Sequence, residues 1–181
     1  MQHVDDTLAM ASVAICKRLM PQGIVGLAKG APDTLESATR YFNDNGTIAV
    51  STFFSPRRFF GTAECCQAFD AWHDYCHVTL QAGFDMTGEE RVNALQQSHL
   101  QAWANAWAPR RMTPAELKRA SAVLDMNNLG RLHHWHQWDA PPHDVRSFAG
   151  GWLAALGMAD KPRPAIDYRN EWTAYSDRED V

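Results

Sequence analysis

Apolar residues recur at helical spacing through most of the chain. Val4, Leu8, Ala11, Ile15 and Leu19 form one stripe over residues 4–20, the pattern of a helix with one face on a core. Asp5 and Asp6 in its first turn and Lys17 and Arg18 in its last complement the helix dipole, and Pro21 stops it. A core-facing bundle helix is the expectation, a membrane-surface helix the alternative. PQGIVGLAKGAPD, residues 21–33, reads as a connection punctuated by glycine and proline. Lys29 is followed by Gly30 rather than Ser or Thr, so this is no phosphate loop. A short helix over 33–43 follows, and NDNG turns the chain. TIAVSTFF, residues 47–54, is rich in β-branched residues and reads as a strand or extended segment without an evident partner.

Two long helices come next. The first runs from residue 62 through AECCQAFDAWHDYCHVTLQA to Gly83. The second starts at TGEE, with Thr87 as N-cap and Glu90 closing a capping box, and runs to Pro109. A third starts at TPAE, with Thr113 as cap, Pro114 at the first helical position and Glu116 closing the box; it ends near NNLG. HHWHQW, residues 133–138, adds a further helical turn or two. Beyond it Val145, Phe148, Trp152 and Leu156 share one face. The Gly150–Gly151 pair in that helix costs about 1 kcal/mol per glycine against alanine, which close approach of another helix would offset. The expected fold class is all-α: a single-domain bundle of about six helices over residues 1–157, with one short extended segment near 47–54. Residues 158–181 form a polar tail or docking arm, with Tyr168, Trp172 and Tyr175 at helical spacing.

Length and composition support this picture. The chain has 181 residues, 45% of them hydrophobic and 21% charged, which suits one folded domain. A net charge of -4 argues against a nucleic-acid partner, which needs a basic face. No apolar run is long enough to span a bilayer, and the N-terminus has no signal-peptide layout. The expected location is cytoplasmic, with peripheral membrane contact and an oligomer both left open. Cys16, Cys65, Cys66 and Cys76 show no CxxC spacing and read as reduced thiols. Seven tryptophans and eight histidines are many for this length and suggest a binding site.

The chemistry concentrates in WHDYCHVTLQAGFDMTGE, residues 72–89. His73 and His77 are four apart and leave one helix face, a half-site for zinc or iron. Asp74 lies about 100° round from His73 and borders that face; its hard carboxylate suits zinc, manganese or magnesium. Glu89 favours the dipole of the next helix, and a short return would bring it beside His77. Asp85 is a rival on the same loop. His99 shares the Glu89 stripe but lies about 15 Å further along the axis, so it reads as a core histidine or a support to a ligand. Cys65 and Cys66 read as core, and Cys76, beside His77, as packed rather than ligating. Spacing alone leaves a metal site and a pair of packed histidines both open.

The run His73-Asp74-Tyr75-Cys76-His77, then VTLQAGFDMTG, then Glu89 resembles the HDxxH-x11-E signature of the ubiquinone-biosynthesis family known as the fourth coenzyme Q biosynthesis protein. Gly88-Glu89 resembles that family's helix start, and DVRSFAGGWLAALGM resembles the ending of its domain. The resemblance covers about 17 residues tightly and some 80 more loosely. It implies an all-helical fold and a divalent metal held by His73, Asp74, His77 and Glu89; zinc is the first expectation for that ion, with magnesium, manganese or iron as alternatives. It also implies a cleft for a small aromatic or prenyl-lipid ligand, chemistry at the carboxyl-bearing carbon of a quinone precursor, and work at a membrane. The chain departs from the family in its shorter length and in lacking an arginine-rich approach to the motif.

Other classes fit less well. The His-Asp doublet resembles HD-type phosphohydrolases, but the only upstream histidine is His3 at the chain end. A ferritin-like site needs ExxH helices, which are absent from the sequence. HHWHQW reads as an aromatic helix end rather than a second metal site, and Arg57-Arg58 and Arg110-Arg111 as solvated turns. Two functions remain. In one, the ion acts as a Lewis acid in a lyase or decarboxylase-like enzyme, with Glu89 as catalytic residue and an apolar cleft lined by Phe69, Trp72, Trp103 and Trp107. In the other, it only staples two helices of an accessory protein.

Overall fold

In a computed structural model, which describes residues 6–52, 62–107, 112–139, 142 and 145–158, the chain is all-α apart from two three-residue strands. Helix α1 (Asp6–Leu19) carries the expected stripe. Leu8, Ala11 and Ile15 are buried, and Leu19 packs against them. Strand β1 (Val25–Leu27) pairs in parallel with β2 (Ala49–Ser51), Val25 opposite Ala49. The segment read as a bare connection thus holds the missing partner of the 47–54 segment. Helix α2 (Leu35–Asn45) makes the crossover between the strands. It opens on a Thr34–Ser37 capping box and closes on Gly46 at φ 67°, a left-handed C-cap that glycine takes without strain.

Helix α3 (Ala63–Leu80) starts at Thr62, whose hydroxyl accepts from the Cys65 N–H. A five-residue loop returns the chain into α4 (Met86–Trp107). The cap of α4 differs from the expectation. Asp85, not Thr87, accepts the Gly88 N–H through its side chain at 2.8 Å, and its carbonyl accepts from Glu89. Helix α5 (Pro114–Asp125) has the expected Thr113–Glu116 box with Pro114 in the first turn. It runs on through a π-helical turn, Met126–Gly130, into α6 (Arg131–Trp138), so HHWHQW continues the third helix rather than standing apart. Helix α7 (Val145–Ala155) buries Ala149 and Leu153, with Phe148 and Trp152 at the edge of the core. Leu156, expected on the same face, is 50% exposed. At Gly151 the tight approach expected for the glycine pair is absent, and one is found at Gly130. A Cβ on Gly151 would touch nothing within 4 Å, whereas one on Gly130 would sit 3.0 Å from the Trp152 ring.

Two apolar clusters hold these elements. The larger joins α1, α3, α4, α5, the π turn and α7 around Leu8, Phe69, Trp72, Leu100, Val123, Leu124 and Leu153. The smaller packs α2 and β2 on the other side of α3 and α1, around Met20, Ile48, Val50 and Val78. Among the described residues no helix is long and apolar enough to cross a membrane. The tail 159–181 and the arginine pairs lie outside the described residues.

Candidate metal centre

Helix α3 presents His73 and His77 one turn apart, and the five-residue return sets the first turn of α4 beside them. His77 is fully buried, while His73 and Glu89 keep 18% and 13% of their side-chain surface. The two Nε2 atoms are 3.0 Å apart. Glu89 Oε2 lies 3.3 Å from His73 Nε2, and Oε1 lies 3.3 Å from His77 Nε2. One ligand atom from each of the three residues falls within 4.8 Å of the others.

The other face of each ring fixes its tautomer. The His77 Nδ1 lies 2.9 Å from the Ala82 carbonyl, which accepts only. The His73 Nδ1 lies 3.1 Å from Gln96 Oε1. Both Nδ1 atoms therefore donate, and both Nε2 atoms turn lone pairs towards Glu89 and each other. Imidazoles that ligate a metal are oriented in this way, through a hydrogen bond from the opposite nitrogen. Two such lone pairs 3.0 Å apart, beside a carboxylate, repel unless a cation sits among them.

The electrostatics agree. Burial opposes ionisation of Glu89, yet contacts with His73 and His77 outweigh it and hold the carboxyl down at about 2. Burial opposes protonation of His73, yet Glu89, Asp74 and Gln96 together raise it. The centre favours positive charge, supplied by a proton or by a metal ion.

Backbone packing sets this geometry. Gly88 stands against the Gly83 backbone so closely that a Cβ would lie 1.8 Å from the Gly83 oxygen. Only glycine lets the loop and the first turn of α4 meet there. Phe84 closes one side, its ring 4.4 Å from that of His77.

The remaining expected residues are placed as follows. Asp74 lines the same cleft beside His73 and Glu89 and stands outside the three-residue group. Asp85 caps α4. His99 is away from the centre: its Nδ1 accepts from the Trp72 indole at 3.1 Å and lies 3.9 Å from Cys76 Sγ. Cys76 is buried, and that burial pushes its thiol up to about 12, so it behaves as a packed thiol. All four cysteines are free.

The cleft differs most from the sequence reading. About 630 Å³ of space opens beside His73 and Glu89. Of the four aromatic residues assigned to it, Phe69 lines it, Trp72 is buried in the core, and Trp103 lines a separate groove between α1 and α4. The Trp107 side chain is outside the described set. Trp72 misses because its position beside His73 on α3 points into the core, and Trp103 because it lies roughly 21 Å along α4 from Glu89. The cleft is mixed instead, with Phe69, Leu132 and Trp135 beside Lys29, Asp33, Asp70 and Arg131. Sequence reasoning missed Gln96, Asn128 and Arg131. The adjacent asparagines of the π turn, poor helix formers in mid-helix, were the available signal.

Fold and centre together define an all-α domain with a His/His/Glu group able to hold a metal ion. Compared with known proteins, the chain matches no family model, no curated protein and no solved structure.

Proposed function

We propose that the protein is a metal-dependent enzyme that binds one divalent ion, zinc first, through His73, His77 and Glu89, with Asp74 as a further ligand from the cleft wall. The observation that carries this reading is the pair of inward lone pairs 3.0 Å apart beside a buried carboxylate. The donor set suits zinc; magnesium, manganese and iron are the alternatives. When bound, the ion supplies Lewis-acid polarisation of a substrate oxygen.

The substrate class follows from the cleft and from the motif's resemblance to the ubiquinone-biosynthesis family. Trp135, 48% exposed, offers an aromatic face, and Lys29 and Arg131 line the same cleft with cations, a set suited to an aromatic ring bearing a carboxylate or phenolate. A second concavity shares Leu132 and Trp135 with the cleft and continues to Phe84 and Met86, where an apolar tail would lie. Glu89 Oε2 faces His73 at the mouth. With one oxygen on the ion, the other would accept a hydrogen bond from an incoming phenol or acid and orient it, which would be the catalytic role of Glu89.

The runner-up is a staple, since the same three side chains tie α3 to the start of α4. Zinc titration with elemental analysis tests both. One ion per chain, with binding lost in His77→Ala, supports the centre; no ion in the wild-type chain removes it. Paramagnetic broadening of an added aromatic carboxylate by cobalt in the site supports an open position, whereas saturation without ligand access selects the staple.

A further inference from the structure

The Nδ1 of His73 does not meet a fixed backbone carbonyl, as His77 does. It meets a side-chain amide that could rotate and present nitrogen instead of oxygen. What holds that amide in place is a run of side chains between α4 and the π turn. Asn128 Nδ2 donates to Gln96 Oε1 at 2.8 Å and to Asn93 Oδ1 at 3.0 Å. Asn93 Nδ2 donates to Asp125 Oδ1 at 2.7 Å, and Gln97 Nε2 donates to the same oxygen. On the other side Arg131 donates to Asn127 Oδ1 at 3.1 Å, and Asn127 Nδ2 donates to Asn128 Oδ1.

Every amide in this run could be turned end for end, but its two termini could not. Asp125 only accepts and Arg131 only donates. Between them the direction of Asn93, Asn127 and Asn128 is set, and Asn128 must offer N–H to Gln96. Gln96 therefore turns oxygen towards both Asn128 and His73. Its own Nε2 is buried with no hydrogen-bond partner among the described residues. Leaving such a group unmatched is costly, which shows that the orientation is imposed. The π turn brings Asn127 and Asn128 both into the interior, 7% and 4% exposed; π turns inside α-helices gather at functional sites.

We propose that Asn128 and Gln96 are positioning residues for the metal centre: through a hydrogen-bond chain directed by Asp125 and Arg131 they hold His73 in the tautomer whose Nε2 is free to ligate. This rests on the metal reading for its purpose, but the tautomer itself is observable without metal.

Two near-isosteric variants of the full-length protein separate the outcomes. Asn128→Asp replaces a donor with an acceptor, so Gln96 must turn its Nε2 inward, and His73 Nδ1 must then accept. Gln96→Glu keeps an acceptor facing His73 whatever its rotation. Nitrogen chemical shifts of the His73 ring, read in the metal-free protein above its titration, should show a protonated Nδ1 in wild type and Gln96→Glu and a bare Nδ1 in Asn128→Asp. Zinc competition should then weaken by roughly 10–100-fold in Asn128→Asp, the range for lost support of a ligating imidazole. Added negative charge alone would tighten zinc binding, so a loss opposes that simpler effect. A protonated Nδ1 in folded Asn128→Asp, or unchanged zinc affinity beside a changed tautomer, overturns the proposal. If Asn128→Asp fails to fold, Gln96→Leu serves: it removes the acceptor, and retention of a fixed Nδ1–H tautomer there is equally fatal. Absence of zinc binding in wild type, with the tautomers as stated, sinks the metal reading and leaves the relay standing.

Discussion

Substituting Gly88 by alanine tests the packing that sets the centre. The new methyl would begin 1.8 Å from the Gly83 oxygen, against a floor of 3.0 Å for real contacts, so backbone must separate by about 1.2 Å in a close-packed region. Only two pieces can yield. Moving the loop carries Ala82, whose carbonyl holds the His77 ring at 2.9 Å. Moving the first turn of α4 carries Glu89, 3.3 Å from both imidazoles. Either way His77 or Glu89 leaves its place. Forcing a methylene into a packed site costs about 1–3 kcal/mol, and each kcal/mol lowers the melting temperature of a domain this size by roughly 2–4 °C. Melting curves with chelator and with excess zinc measure both effects. Zinc at about 100 times its dissociation constant should stabilise wild type by about 2.7 kcal/mol, and Gly88→Ala should lose most of that increment. Gly151→Ala is the control: a Cβ there meets nothing, so it should raise stability by about 0.5–1 kcal/mol. Equal melting and equal zinc response in wild type and Gly88→Ala would refute the reasoning.

Other expectations follow from the same physical terms. Thr113→Ala removes the hydroxyl that accepts from Glu116 N–H and leaves the backbone N–H of residue 113, which donates to the Glu116 carboxylate; urea unfolding should show a loss of about 1 kcal/mol. Burial pushes the Cys16 thiol from the ordinary 9.0 up to about 11. The folded state therefore prefers the neutral thiol, so stability from this group is full below pH 9 and lost as pH rises through 11. Denaturant midpoints across that window should fall less steeply in Cys16→Ala. Zinc affinity should drop as pH falls, because His73, whose protonated form Glu89 and Asp74 favour, must lose that proton to ligate; a pH-independent affinity would count against histidine ligands.

Much of the centre was readable because it is local. An i, i+4 histidine pair and a glutamate across a short return lie within residues 73–89, and helix geometry alone brings them together. The Thr113 box and the α1 stripe were legible for the same reason. What escaped depends on distant partners or on a change of register. Asp85 displaced Thr87 as cap because helix α4 begins one residue after it, and both side chains are acceptable caps by type. Strand β1 needed β2, more than twenty residues on, before a valine-glycine-leucine run meant anything. The π turn inserts an irregularity that a periodicity count averages away, and with it went Gln96's partner Asn128 and the true wall of the cleft.

That wall has a divided origin. The three side chains of the candidate centre all come from α3 and α4, whereas Lys29, Asp33, Val50 and Ser51 across the cleft hang from the small strand pair and its flanking loop, anchored in a separate apolar cluster. On the proposed reading, the groups that would hold the cation and one wall of the cleft facing them therefore belong to different stretches of chain. Substitutions in the strand-pair lobe would then reshape that wall and leave His73, His77 and Glu89 where α3 and α4 set them.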